Sequence, residues 1–183
     1  MIAVALDPAA VPVAVAGRGG LALRRFLALR AGGARHLLLF TDQPDQELDG
    51  AVGTALRNFL PGGAELAELR ALWIAGLPGE RAAELAALAR SARVLVNVED
   101  APALCDFHNV AEVRRGDLLL TVSTAGASPG LAARIRARIA VEYGAEWADR
   151  VALLREHRAQ WRREGGDVAA LTDALLQANG WLA

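Results

Sequence analysis

Two adjacent carboxylates, Glu99 and Asp100, close a short apolar run over residues 94–98 that is rich in β-branched side chains. Such a run reads as a buried strand. Ligands of open α/β sheets gather just beyond the carboxyl ends of the strands, so an acid there is placed for proton transfer. Asp100 also precedes Ala101-Pro102, a setting that suits a helix N-cap. A second apolar run, residues 117–124, leads into Thr124-Ala125-Gly126-Ala127-Ser128-Pro129. Serine before proline is a helix start, and Thr124, Gly126 and Ser128 beside free helix amides can hold a carboxylate or phosphate. Arg114, Arg115, Arg134, Arg136 and Arg138 supply positive charge around that segment. On a helix Arg134 and Arg138 share a face and Arg136 points elsewhere.

A third constellation lies near the start. Residues 11–16 form an apolar run, followed by Gly17-Arg18-Gly19-Gly20-Leu21-Ala22, which fits G-x-G-x-x-A. A helix is expected over residues 21–31, then a strand over 36–40 that ends at Thr41-Asp42. Strand, glycine turn, helix, strand and acid in this order make the dinucleotide fingerprint. Gly17 allows the tight turn, Gly19 lets backbone approach a pyrophosphate, and Ala22 lets helix pack close to strand. The amides from Gly20 and Leu21 onward face the phosphates, and Asp42 is spaced to meet the adenosine ribose and to disfavour a 2′-phosphate. NAD is the expected cofactor, with Arg18, Thr41, Gly76 and Asn97 as further candidate contacts.

These groups need elements to position them. Residues 48–59 are expected to form a helix, 71–75 a strand and 80–92 an Ala-Leu helix feeding the strand that ends at Asp100. Alternating strands and helices give a parallel sheet covered on both faces. The expected architecture is α/β: a Rossmann-like domain over residues 1–100, a small α/β unit over 101–143 and a helical region over 144–183. The last is read as two amphipathic helices, broken at Gly165-Gly166 and anchored by Trp147, Trp161 and Trp181.

Composition narrows the chemistry. At 54% hydrophobic residues and a net charge of −1, the chain of 183 residues reads as globular, with no charge excess for nucleic acid. Every basic residue is arginine, which excludes a Schiff-base lysine, a pyridoxal phosphate anchor and a Walker P-loop. Cys105 is the sole cysteine, and His36, His108 and His157 are the only histidines, so no zinc-type site is expected. The apolar N-terminus lacks a basic leader and is interrupted by Asp7-Pro8, which argues against a signal peptide. No stretch reaches the roughly 18 apolar residues of a bilayer span. A cytoplasmic enzyme is expected.

The segments Asn97-Val98-Glu99-Asp100-Ala101-Pro102-Ala103-Leu104-Cys105-Asp106-Phe107 and 113–132 resemble the precorrin-2 dehydrogenase family of siroheme biosynthesis. Many members of that family also act as sirohydrochlorin ferrochelatases. The resemblance implies NAD-dependent oxidation of precorrin-2 to sirohydrochlorin, possible insertion of Fe²⁺, and a homodimer with strands exchanged between subunits. Asn97-Val98-Glu99-Asp100 matches the family's Asn-Val-x-Asp motif, whose aspartate is catalytic, so that role falls on Asp100. Thr124, Gly126, Ser128, Arg115, Arg134 and His108 are the expected contacts of a carboxylate-rich tetrapyrrole. Arg18 stands where the family has the middle of three glycines, and Arg25 stands where it has lysine. Gly76-Leu77-Pro78 replaces the family's Thr-Asp pair. At this length the chain is not expected to carry the methyltransferase domain fused behind some members. The alternative reading is a nucleotide- or tetrapyrrole-binding regulatory module whose catalysis has decayed.

Overall fold

The computed structural model describes residues 2–165 and 167–181. The chain divides into two compact units, one up to Asn109 and one from Val110. The first is a five-stranded parallel sheet. Its strands are β1 (Val13–Gly17), β2 (Leu37–Phe40), β3 (Leu56–Arg57), β4 (Ala71–Ala75) and β5 (Leu95–Val98), in the spatial order β3-β2-β1-β4-β5. The helices are α1 (Gly19–Ala31), α2 (Gln46–Val52), α3 (Gly63–Ala67) and α4 (Gly79–Ser91). This is the expected Rossmann-like α/β architecture.

Side-chain alternation decides which helix covers which face. Val13 and Val15 of β1 pack with Leu23 and Phe26 of α1, whereas Ala14 and Ala16 pack with Leu85 and Ala86 of α4. In the same way Trp73 of β4 faces α1, and Leu72 and Ile74 face α4. A central strand buried on both faces must be apolar throughout, and all five residues of β1 are buried. Each Leu or Phe removed from water in these layers contributes roughly 1.5–3 kcal/mol. The chain leaves β1 toward β2 and leaves β4 toward β5 in the opposite direction, so the order reverses between β1 and β4. A crevice at the carboxyl ends of those two strands follows from that reversal.

After β5 the chain turns at Glu99-Asp100 and returns along the free edge of the strand. Ala101 N donates to Val98 O at 3.3 Å, and Asp106 N donates to Val96 O at 2.7 Å. The Asp106 carboxylate accepts from Val96 N at 2.9 Å and from Arg90 Nε at 2.8 Å. Residues 101–109 thus belong to the first unit.

The second unit holds an antiparallel hairpin, β6 (Ala111–Arg115) and β7 (Leu118–Val122), turned at Gly116-Asp117. It continues into α5 (Pro129–Glu142), α6 (Trp147–Glu164) and α7 (Val168–Asn179). Trp147 is buried, with its ring 5.2 Å from that of Tyr143, and the Arg150 guanidinium lies 4.8 Å from Trp147 and 5.3 Å from Trp181. Asp117 pairs with Arg155 of α6. Gly165 ends α6 in the left-handed region; Gly166, the other half of the expected break, lies outside the described residues.

Two expectations are corrected here. The helix expected over residues 48–59 stops at Val52, and Leu56–Arg57 instead pairs beside β2 as the outermost strand. The stretch before Gly116, read without a strand, forms β6.

The tightest packing lies where β1 meets β4. A Cβ on Gly17 would fall inside the Ala75 carbonyl oxygen. Changing Gly17 to Ala must therefore push β1 from β4. The G17A variant is expected to lose about 1–3 kcal/mol or more, read as a lower urea midpoint at unchanged slope. A wild-type midpoint would contradict this packing.

Candidate functional site

The crevice at the reversal is lined by backbone. Arg18 N donates to Ala75 O at 3.1 Å, and a Cβ on Gly76 would stand 2.5 Å from Arg18 O. Gly76 also has φ +72°, so both space and backbone require glycine there. Gly19, at φ +55°, and Gly20 face open space, because a Cβ on either would meet nothing within 4 Å. The α1 N-terminus has no side-chain cap and no acid in its first turn. Its unpaired amides and partial positive charge remain for an anion. The residues present therefore fit a dinucleotide pyrophosphate: close glycine packing below, open glycine backbone above and a free helix start behind.

Asp42 follows β2 on the same sheet edge, but it is engaged. Arg18 Nε donates to its Oδ1 and Arg18 Nη2 to its Oδ2, both at 2.7 Å. The hydrogen bond from Arg18, aided by its charge and more weakly by that of Arg81, holds the Asp42 carboxyl below its ordinary 3.8. The same hydrogen bond raises the Arg18 guanidinium above its ordinary value. Thr41 is fully buried and accepts from Gln43 N at 3.2 Å, which fixes the backbone that carries Asp42.

Asp100 stands at the carboxyl end of β5, on the same edge as the glycine turn. β4 lies between β1 and β5, so two strand spacings, about 10 Å, separate their ends. Its carboxylate is exposed and its φ is +60°, a conformation Asp tolerates better than most side chains. The N-cap reading of Asp100 is corrected: the short 3₁₀ turn Pro102–Leu104 takes Ala101 as its cap. Instead, the returning strand edge holds the turn in place. Beside it, one Glu99 carboxylate oxygen is buried without a hydrogen-bond partner.

Asn97 is placed differently from its expected cofactor contact. It is 5% exposed and its side chain is occupied. Nδ2 donates to Phe107 O at 2.9 Å and Oδ1 accepts from Asn109 Nδ2 at 2.8 Å. Asn109 Oδ1 in turn accepts from Trp73 Nε1 at 2.9 Å, and the Phe107 ring stands edge-on to Trp73 at 4.9 Å. This network fixes the return segment and, through it, the Asp100 turn. His108 is exposed on that segment between two residues that face the sheet. The Cys105 thiol bonds Val98 N and O, both at 3.2 Å, as a packing element.

In the second unit Thr124, Gly126 and Ser128 share one turn. Thr124 Oγ1 accepts from Ser128 N at 3.1 Å, and Ser128 Oγ caps α5 by accepting from Leu131 N at 3.2 Å. Ala125 and Gly126 both have positive φ. Arg134 is exposed on α5. Arg115 is committed elsewhere: Nε donates to Tyr143 O at 2.9 Å and Nη2 to Ala140 O at 3.1 Å. It satisfies the last carbonyls of α5, a structural task its spacing in sequence did not show. Among the described residues no cluster of His, Cys, Asp and Glu is arranged for a metal, and no helix is long and apolar enough to cross a membrane.

A family described as "Putative NAD(P)-binding" matches residues 4–111. The chain belongs to this family. A second family, "Sirohaem biosynthesis protein central", matches residues 115–142, so the resemblance read from both segments holds. NAD, the cofactor expected from the glycine turn, agrees with the family's NAD(P)-binding description. A siroheme synthase of Ectopseudomonas mendocina is 40% identical over 131 residues, which cover 70% of this chain and 28% of that protein. One from Methylococcus capsulatus is 34% identical over 138 residues, 74% of this chain and 22% of that protein. The chain thus spans under a third of the length of these two relatives. The solved structure of SirC, a precorrin-2 dehydrogenase, shares the fold at a TM-score of 0.75 and 22% identity, over 97% of this chain and 88% of that one.

The depressed Asp42 value fixes a sign. A carboxyl held below its unfolded value stabilises the fold above the ordinary carboxylate range, and that contribution disappears as pH falls through the lowered value. Asp42→Asn is therefore expected to lower the melting temperature at pH 7 by at most about 3 °C, the pair being exposed and screened. The difference should shrink as pH falls below the ordinary carboxylate range and through the lowered value. A difference that does not change with pH would contradict the pairing.

Proposed function

We propose that this chain oxidises precorrin-2 to sirohydrochlorin with NAD⁺, as a cytoplasmic homodimer. The observation that carries the proposal is Asp100, an exposed carboxylate held at the carboxyl end of β5 on the edge that also bears the open glycine turn. The NAD(P)-binding family match on the first unit supports the cofactor, and the sirohaem-biosynthesis match on the second supports the choice of substrate.

The reaction removes a hydride and a proton from the reduced macrocycle, giving sirohydrochlorin, NADH and H⁺. Bound at the glycine turn, NAD⁺ supplies the hydride acceptor. Gly19, Gly20 and the first amides of α1 hold its phosphates, and the Gly76 loop borders the other side of the crevice. The Asp100 carboxylate takes the proton as general base and, being exposed, returns it to solvent. Thr124, Gly126, Ser128 and Arg134 are proposed contacts for the substrate carboxylates, with His108 a further polar contact. Dimerisation is proposed through the second unit, where Leu131, Ile135 and Val141 of α5 are exposed. The proposal extends to Fe²⁺ as a second substrate: the tetrapyrrole nitrogens would take the metal and release two protons, for which Asp100 is again the acceptor.

The test is an anaerobic assay with purified protein, precorrin-2 and NAD⁺, following the absorbance of sirohydrochlorin. Asp100→Asn keeps a side chain that tolerates the left-handed turn and removes the base. Turnover in D100N is expected to fall about 10²–10⁴-fold, with NAD⁺ binding retained. Undiminished turnover in D100N would remove Asp100 from the mechanism, and failure to bind either NAD⁺ or the tetrapyrrole would sink the whole reading.

A further inference from the structure

The pair formed by Arg18 and Asp42 bears on which dinucleotide the glycine turn admits. In the dinucleotide fingerprint an acid after the second strand accepts from the ribose hydroxyls, and its negative charge rejects a 2′-phosphate. Here both oxygens of that acid already accept from one guanidinium, at 2.7 Å each. A free carboxylate is therefore not what an incoming ribose meets. The charge that would repel a phosphate is balanced, by a side chain whose planar fork also matches phosphate oxygens two at a time.

The position of Arg18 makes this balance a property of the turn itself. Its backbone is held against β4, with N donating to Ala75 O and O packed beside Gly76. Only the side chain has freedom to take a further partner. The Arg18 and Asp42 side chains are 24% and 35% exposed, so a ligand at the turn can reach both. Other charges nearby do not restore the rejection. Arg81 is close enough to pull Asp42 further toward its ionised form, and its own partner Glu84 stands one helical turn along α4.

We propose that Arg18 is a specificity-determining residue that, while still paired with Asp42, also meets the 2′-phosphate of NADP⁺, so that this chain binds NADP⁺ about as well as NAD⁺. The inference rests on the glycine turn being the dinucleotide site, as proposed above. It concerns the adenosine end of the cofactor, remote from Asp100 and from the hydride acceptor.

The experiment is a calorimetric titration of the whole chain with NAD⁺ and NADP⁺, repeated with adenosine 5′-monophosphate and adenosine 2′,5′-bisphosphate. The nucleotide fragments isolate the 2′-phosphate from the nicotinamide half. Wild-type dissociation constants for the two dinucleotides are expected to agree within about tenfold. In Arg18→Gln, which keeps length and removes charge, NADP⁺ and the bisphosphate should weaken about 10–100-fold relative to NAD⁺ and the monophosphate, the range for losing a charged hydrogen-bonded contact. Arg18→Gly should give the same selective loss and guards against an effect of the glutamine itself. NAD⁺ binding with NADP⁺ more than about tenfold weaker, or an R18Q variant that weakens both alike, overturns the inference and leaves the dehydrogenase standing. Absence of binding by every nucleotide overturns both.

Discussion

Close contact between β1 and β4 is the constraint on which the first unit depends. Gly17 lies against the Ala75 carbonyl with no room for a side-chain carbon, and Gly76 lies against Arg18 O in the same manner. The two strands leave the sheet in opposite directions just there, and a crevice can form only because neither carries a Cβ at its mouth. The direction of α1, the openness of Gly19 and Gly20 and the lean of Arg18 toward Asp42 all follow from that junction.

Asp100 depends on a second device, built on the opposite side of the crevice. The return segment is fixed to β5 through Asp106, Cys105 and the Asn97–Asn109 contact, so the turn between them has little freedom. A non-glycine residue at positive φ needs such support. The geometry leaves the carboxylate in water while its backbone is fixed, which suits a group that must exchange protons repeatedly. Its neighbour Glu99 is only partly exposed, with one oxygen buried. Adjacent acids of the same chemistry are thereby given different surroundings.

Much of this was legible in the sequence because it is periodic or local. Apolar runs marked β1, β2, β4 and β5, and in β1 and β4, buried on both faces, no polar residue interrupts the run. The G-x-G-x-x-A turn and Ser128-Pro129 are short motifs with a direct mechanical meaning. What escaped was either too short or too distant. β3 has two residues, too few to show any periodicity of their own beside the helical pattern before them. β6 buries only Val113 among Glu112, Arg114 and Arg115, although Gly116-Asp117 is a hairpin signal that marks it in hindsight. Arg18 with Asp42, and Asn97 with Asn109, lie 24 and 12 residues apart, so only the fold brings them together. Asn97 shows the ambiguity most clearly: a polar residue in a buried strand looks like a ligand contact until its partners are known.

The way β5 is closed also bears on what the sheet can do among its neighbours in a crowded solution. An outer strand with free amides is a template on which any extended chain can lay itself down. Here Val96 N is taken by the Asp106 carboxylate, and Val98 N by the Cys105 thiol. The opposite margin is β3, only two residues long. Neither margin offers a run of unpaired backbone long enough to recruit a stranger. The first unit is thereby protected from intermolecular strand addition by the same segment that holds its candidate base in position.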